Sequence, residues 1–139
     1  MSLSIRNQFQ GTVTSVTTGE VMATVKVRLN SGRELTAAIT VDAVTDLGLA
    51  EGGVVLVLVK STEVSLATGA VGGLSIRNRI PGTVTAVAVG GAMAGVKVAM
   101  EDGELTAVIT AEAAKELGLA SGSSVTALLK STEVALASV

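Results

Sequence analysis

The chain contains no cysteine, histidine, tryptophan or tyrosine, and a single phenylalanine, Phe9, among 139 residues. Without cysteine there is neither disulfide nor thiol chemistry, and the redox compartment leaves no mark on the sequence. With histidine also missing, a transition-metal cation would lack its thiolate and imidazole ligands. A histidine-based catalytic triad cannot be built. One phenylalanine makes no stacking platform for single-stranded nucleic acid. Long apolar runs are missing too: the longest aliphatic stretch, Val54–Val59, falls far short of the ~20 residues of a membrane-spanning helix. The opening Met1-Ser2-Leu3-Ser4-Ile5-Arg6 lacks a basic stretch leading into an apolar one. No secretory signal is expected, and a cytoplasmic location is the default.

What is present is aliphatic. Apolar residues make up 48% of the chain, and the mean hydropathy of +0.63 is high for a water-soluble protein. Ten Lys and Arg against twelve Asp and Glu give a net charge of −2. That balance disfavours a broad polyanion-binding face but leaves room for a local basic pocket.

The chain is a tandem repeat. Leu3-Ser4-Ile5-Arg6-Asn7 returns as Leu74-Ser75-Ile76-Arg77-Asn78, and Lys60-Ser61-Thr62-Glu63-Val64 as Lys130-Ser131-Thr132-Glu133-Val134. With one residue deleted opposite Arg33, more than half of the aligned positions are identical. Self-similarity at that level means a duplicated unit. The copies are assigned to residues 1–68 and 74–139, joined by a Gly-rich linker, 69–73, too short to hold them far apart.

Within each copy the dominant period is two. Val21, Ala23, Val25, Val27 and Leu29 alternate with Met22, Thr24, Lys26 and Arg28, the pattern of a half-buried strand. Asn30-Ser31-Gly32, and Glu101-Asp102-Gly103 in the second copy, supply turn chemistry. Further strands are expected at Gln8–Thr17, Glu34–Ile39, Val54–Val59 and Glu63–Ala67. A short helix is expected at Val41–Leu47, with Thr40 as N-cap and Gly48 beyond its end, repeated at Ala111–Leu117. An all-β fold follows: two tandem OB-like five-stranded β-barrels, each with one short helix. The strand Val54–Val59 is apolar on both faces, so a neighbour should cover the second face, and another chain is the favoured candidate.

Chemistry is confined to repeated donor clusters. Ser4 and Arg6, with Ser75 and Arg77, point to one face of an extended segment, and Asn7 to the other. Lys60 and Ser61, with Lys130 and Ser131, stand where a buried strand ends. Thr40 and Thr110 open the short helices, whose first amides form a positive end. Guanidinium, ammonium, hydroxyl and amide donors together suit a small ionised oxyanion. No carboxylate pair or nucleophile–base couple accompanies them, so the chain is not read as an enzyme. Phosphate-cradling glycine motifs are also missing. Each cluster equally fits a structural role: ion-paired arginine, edge-guarding lysine, plain helix cap. Met22 and Met93 read as core or interface filler.

Taken in order, Ser4-Ile5-Arg6-Asn7, Gly11-Thr12-Val13, Ile39-Thr40, Leu47-Gly48-Leu49 and Lys60-Ser61-Thr62-Glu63-Val64 resemble the Mop, or TOBE-type, domains of the molbindins, and the likeness covers both copies. The resemblance implies molybdate, and tungstate with it, bound as an oxyanion without an organic cofactor or a ligated cation. It also implies six domains in a ring, which for a tandem chain is a homotrimer, with no membrane or nucleic-acid partner. The oxyanion residues it implies are Ser4, Arg6, Lys60 and Ser61, and Ser75, Arg77, Lys130 and Ser131. A partner domain would add Thr40 with the amide near Ala43, or Thr110 with that near Ala113. Many members carry serine where Ala43 and Ala113 stand, so a hydroxyl donor is lost here. A second class of site is placed at Glu20–Ala23 and Gly91–Ala94. The competing reading is an OB-fold module for nucleic acid or a protein partner, which predicts exposed aromatics and a basic stripe.

Overall fold

The computed structural model describes residues 2–139. The first copy forms β1 (Asn7–Thr18), β2 (Met22–Leu29), β3 (Glu34–Thr40), α1 (Val41–Leu47), β4 (Val54–Val59) and β5 (Val64–Ala67). The second forms β6 (Asn78–Val89), β7 (Met93–Met100), β8 (Gly103–Thr110), α2 (Ala111–Glu116), β9 (Ser124–Leu129) and β10 (Ala135–Ser138). A single 3-10 turn, Ser61–Glu63 or Ser131–Glu133, precedes each last strand. Glu63, expected to open a strand, therefore belongs to this turn.

Local sequence accounts for most of these elements. In β2, buried and exposed residues alternate strictly from Met22 to Leu29. Thr40 caps α1 by accepting from the Ala43 N–H, and Gly48 ends it at φ 61°, a left-handed conformation that costs a glycine little. β1 and β2 shift register between Val13 and Ser15, and β6 and β7 do so between Val84 and Ala86. Such bulges bend a strand and raise its twist, which helps each sheet curl into a barrel.

The two curled five-stranded sheets run β10-β4-β1-β2-β3 and β5-β9-β6-β7-β8. Each therefore takes four strands from one copy and its fifth from the other. Ala135 pairs with Leu58 in the first barrel, and Val64 with Leu129 in the second. The duplicated units meet at the linker in sequence, while the barrels interlock across it in space. Their buried side chains form one contiguous core.

This interlock also answers the two-faced strand. Val55, Val57 and Val59 point into the barrel, while Leu58, on the opposite face, is only 6% exposed. Leu58 lies beside Val134 and Ala135 of the second copy. The partner repeat thus covers Leu58, while on the same face Leu56 is half-buried and Val54, at the strand's start, is 48% exposed. Met22 and Met93 are exposed and are not core residues. Among the described residues, no helix is long and apolar enough to cross a membrane.

Candidate functional site

Asn7 and Asn78 organise the junction between the barrels. Each begins a strand, and they are the two buried polar residues of the described chain. Asn7 Nδ2 donates to the Thr106 carbonyl at 2.8 Å, and the Thr106 N–H donates to Asn7 Oδ1 at 2.8 Å. Asn78 makes the same pair with Thr36, both at 2.8 Å. A side-chain amide here stands in for a strand neighbour, satisfying one donor and one acceptor on the facing strand. Strand alternation then turns Arg6 and Arg77, the residues just before, outward to solvent.

That clamp brings β8 over the first donor cluster. Ser4, Arg6, Lys60 and Ser61 line one open cavity of about 410 Å³, bordered by Thr106 and Val108 of the second copy. Ser61 opens the 3-10 turn that redirects the chain after Lys60. Its Oγ is buried and has no hydrogen-bond partner, alone in this among the described side chains. Arg6 donates to the Leu3 carbonyl at 2.6 Å and forms no ion pair; the ion pairs among the described residues are Lys26–Glu34 and Lys97–Glu104. The alternative role of an ion-paired arginine therefore does not apply to Arg6, a cation without a carboxylate among the described residues.

The second cluster is tighter. Ser75, Lys130 and Ser131 line a cavity of about 250 Å³. Arg77 does not line this cavity; it is turned onto the carbonyls of Leu74 at 2.8 Å and Ser75 at 3.3 Å, next to the cavity-lining Ser75. Thr40, Ala43, Thr110 and Ala113 line neither cavity within one chain. Thr40 Oγ1 accepts from Ala43 N–H at 3.1 Å and Thr110 Oγ1 from Ala113 N–H at 3.0 Å. These amides are committed to caps, while each threonine O–H stays free to donate. Glu20 and Gly91 lie exposed at the tips of the β1–β2 and β6–β7 hairpins.

Sequence reasoning missed the wall made by Thr106 and Val108 and the role of Asn7. The usable signal was the repeat of asparagine directly after arginine, on the inward side of a strand start. Phe9, the one aromatic, is buried at 8% exposure and offers no face for a base to stack on.

Fold and cavities together define the class. The TOBE domain model matches residues 3–66 and again 74–136, and the chain belongs to the TOBE-domain family, carrying two copies. The molybdenum-pterin-binding protein MopA of Rhodobacter capsulatus is 42% identical over 141 residues, 99% of this chain and 52% of MopA. The molybdenum transport protein ModE of Azotobacter vinelandii is 40% identical over 138 residues, 99% of this chain and 51% of ModE. The chain spans about half the length of these relatives. The crystal structure of the cytoplasmic molybdate-binding protein ModG with molybdate bound matches with a TM-score of 0.96 at 38% identity, over 100% of both chains.

Proposed function

We propose that this chain binds molybdate, and tungstate by the same chemistry, as intact oxyanions for molybdenum storage and homeostasis in the cytoplasm. The observation that carries this reading is the orphaned, buried Oγ of Ser61, a residue that lines one cavity with Arg6 and Lys60. An unpartnered buried hydroxyl costs about 1–3 kcal/mol, a cost that a bound oxyanion would remove. Arg6 and Lys60 supply charge-assisted donors, and Ser4 and Ser61 supply directional neutral ones. Ser75, Arg77, Lys130 and Ser131 take the same roles in the second copy. The binding names of MopA and ModG, relatives along the full chain, support the ligand and a non-catalytic role.

In equilibrium dialysis, the wild-type chain should take up molybdate at micromolar concentration, and Arg6→Ala/Arg77→Ala should lose at least ~10-fold in affinity, since charge-assisted bonds contribute about 1.5–3 kcal/mol. Ser61→Ala should weaken uptake while leaving the unfolding midpoint unchanged or raised, because it deletes an unpaired polar atom. Absent uptake by the wild type, or undiminished uptake by the double variant, would sink the reading.

A homotrimer is proposed as the working form. The chain exposes 7393 Å², whereas a compact monomer of this mass exposes roughly 6,600 Å². Val21 and Val89, at the hairpin tips, are 70% and 66% exposed, apolar surface suited to contact between chains. In such an assembly, Thr40 and Thr110 of a neighbouring chain would direct their free O–H toward the anions. Light scattering should return about three times 13.8 kDa; a stable monomer at micromolar concentration would contradict the trimer.

A further inference from the structure

The two copies differ in charge where their donor clusters sit. Position 8 is Gln8 in the first copy, and its counterpart in the second is Arg79. Gln8 Nε2 makes one neutral bond, to the Ile5 carbonyl at 2.9 Å. Arg79 makes the matching bond, Nε to the Ile76 carbonyl at 3.0 Å, and also places Nη2 2.7 Å from the Leu74 carbonyl oxygen. Arg77 Nη2 sits 2.8 Å from that same oxygen. Two guanidiniums therefore share one acceptor, the carbonyl of the residue before the cavity-lining Ser75, and neither has a carboxylate within ion-pair distance among the described residues.

A third guanidinium stands behind them. Arg33 reaches across from the β2–β3 hairpin and donates from Nη1 to the Arg79 carbonyl at 3.3 Å. Its counterpart in the second copy is the deleted residue. At the corresponding place beside β1, the β7–β8 hairpin offers Gly103, where an added Cβ would stand 3.9 Å from Phe9. The two residues before it are Glu101 and Asp102, and Asp102 accepts from the Ser31 N–H at 2.9 Å. The first copy thus has a neutral glutamine at this position and an acidic turn in the hairpin that approaches β1, whereas the second has Arg79 at this position with Arg33 bonded to its carbonyl.

We propose that the two oxyanion sites of one chain are unequal, the second-copy site being the tighter, and that Arg79, backed by Arg33, makes the difference. This rests on the oxyanion reading above. A dianion held beside Arg77 lies within a Debye length of the Arg79 charge, which shares the Leu74 carbonyl with Arg77, so salt does not fully screen it. It also relieves the repulsion between two guanidiniums crowded on one carbonyl. Hydrogen bonds through the Leu74 and Ile76 carbonyls hold Arg79 against the segment carrying Ser75, which fixes the position of its charge.

Calorimetric titration of the full chain with sodium molybdate tests this. The wild type should give two phases differing by roughly threefold or more, the scale of one partly exposed charge. Arg79→Gln installs the first copy's own residue, so the fold tolerates it; the tight phase should then merge with the weak one. Arg79→Lys should retain most of the separation, and Gln8→Arg should strengthen the weak phase. Arg6→Ala should remove the weak phase and leave the tight one, and raised salt should weaken the tight phase more. A single-phase wild type, or an Arg79→Gln chain with both constants unchanged, overturns the inequality while leaving oxyanion binding intact. No heat and no uptake in the wild type overturns the oxyanion reading itself.

Discussion

Gly11→Ala is expected to destabilise the first barrel by about 3–5 kcal/mol, since core overpacking costs 1–3 kcal/mol and more where backbone must move. A Cβ at Gly11 would stand 2.5 Å from Val27 Cγ1 and 2.9 Å from the Arg28 carbonyl oxygen. Val27 is 1% exposed and has no room to turn away. Arg28 belongs to β2, paired with β1 on one side and β3 on the other, so its carbonyl cannot yield alone. The requirement is space, because Gly11 is not among the glycines with positive φ. Gly82→Ala should behave alike, with contacts of 2.5 Å to Val98 Cγ1 and 2.8 Å to the Ala99 carbonyl. Gly95→Ala is the control: nothing lies within 4 Å of its added Cβ, and the first copy carries Thr24 there. Urea unfolding followed by circular dichroism, at one protein concentration, should separate the three. A Gly11→Ala midpoint near that of Gly95→Ala would refute the close-packing argument.

Removing the Asn7 side chain should cost about 2–4 kcal/mol, because two hydrogen bonds go at once and both partners stay behind on Thr106. Asn7→Ala leaves the Thr106 N–H and carbonyl facing a methyl group in a junction where Asn7 itself is 1% exposed. Asn7→Asp is no remedy at neutral pH, since a carboxylate cannot donate to the Thr106 carbonyl and repels it. Hydrogen exchange supplies the local readout: the Thr106 amide should lose protection in Asn7→Ala, and the Thr36 amide in Asn78→Ala. Unchanged protection at Thr106 would show that the clamp does not hold β8. Because Thr106 also walls the first cavity, the same substitution should weaken oxyanion uptake at the first-copy site.

The elements and the donor clusters were legible because they depend on neighbours in sequence. Alternation made β2 recognisable, Thr40 and Gly48 marked the ends of α1, and the repeat displayed Ser4, Arg6, Lys60 and Ser61 twice. That they meet in one cavity was implied by the family resemblance alone, and the wall that Thr106 and Val108 add was not legible at all. Asn7 and Thr106 are 99 positions apart, and Asn78 and Thr36 are 42 apart, so no periodicity links them.

Sequence by itself thus determined the strand and helix pattern, the duplication, and the chemical character of the donors, all short-range or compositional properties. Tertiary structure decided which barrel each last strand completes, which strand of the second copy flanks the first cavity, and where Arg33 reaches. The physical reason is degeneracy. Val64–Ala67 and Val134–Ala137 are nearly the same sequence, so either can pair with β4 or β9 with almost the same hydrogen bonds and side-chain contacts. Only the path of the chain through the turns at Ser61–Glu63 and Ser131–Glu133 separates the two closures, and that path exists only in three dimensions.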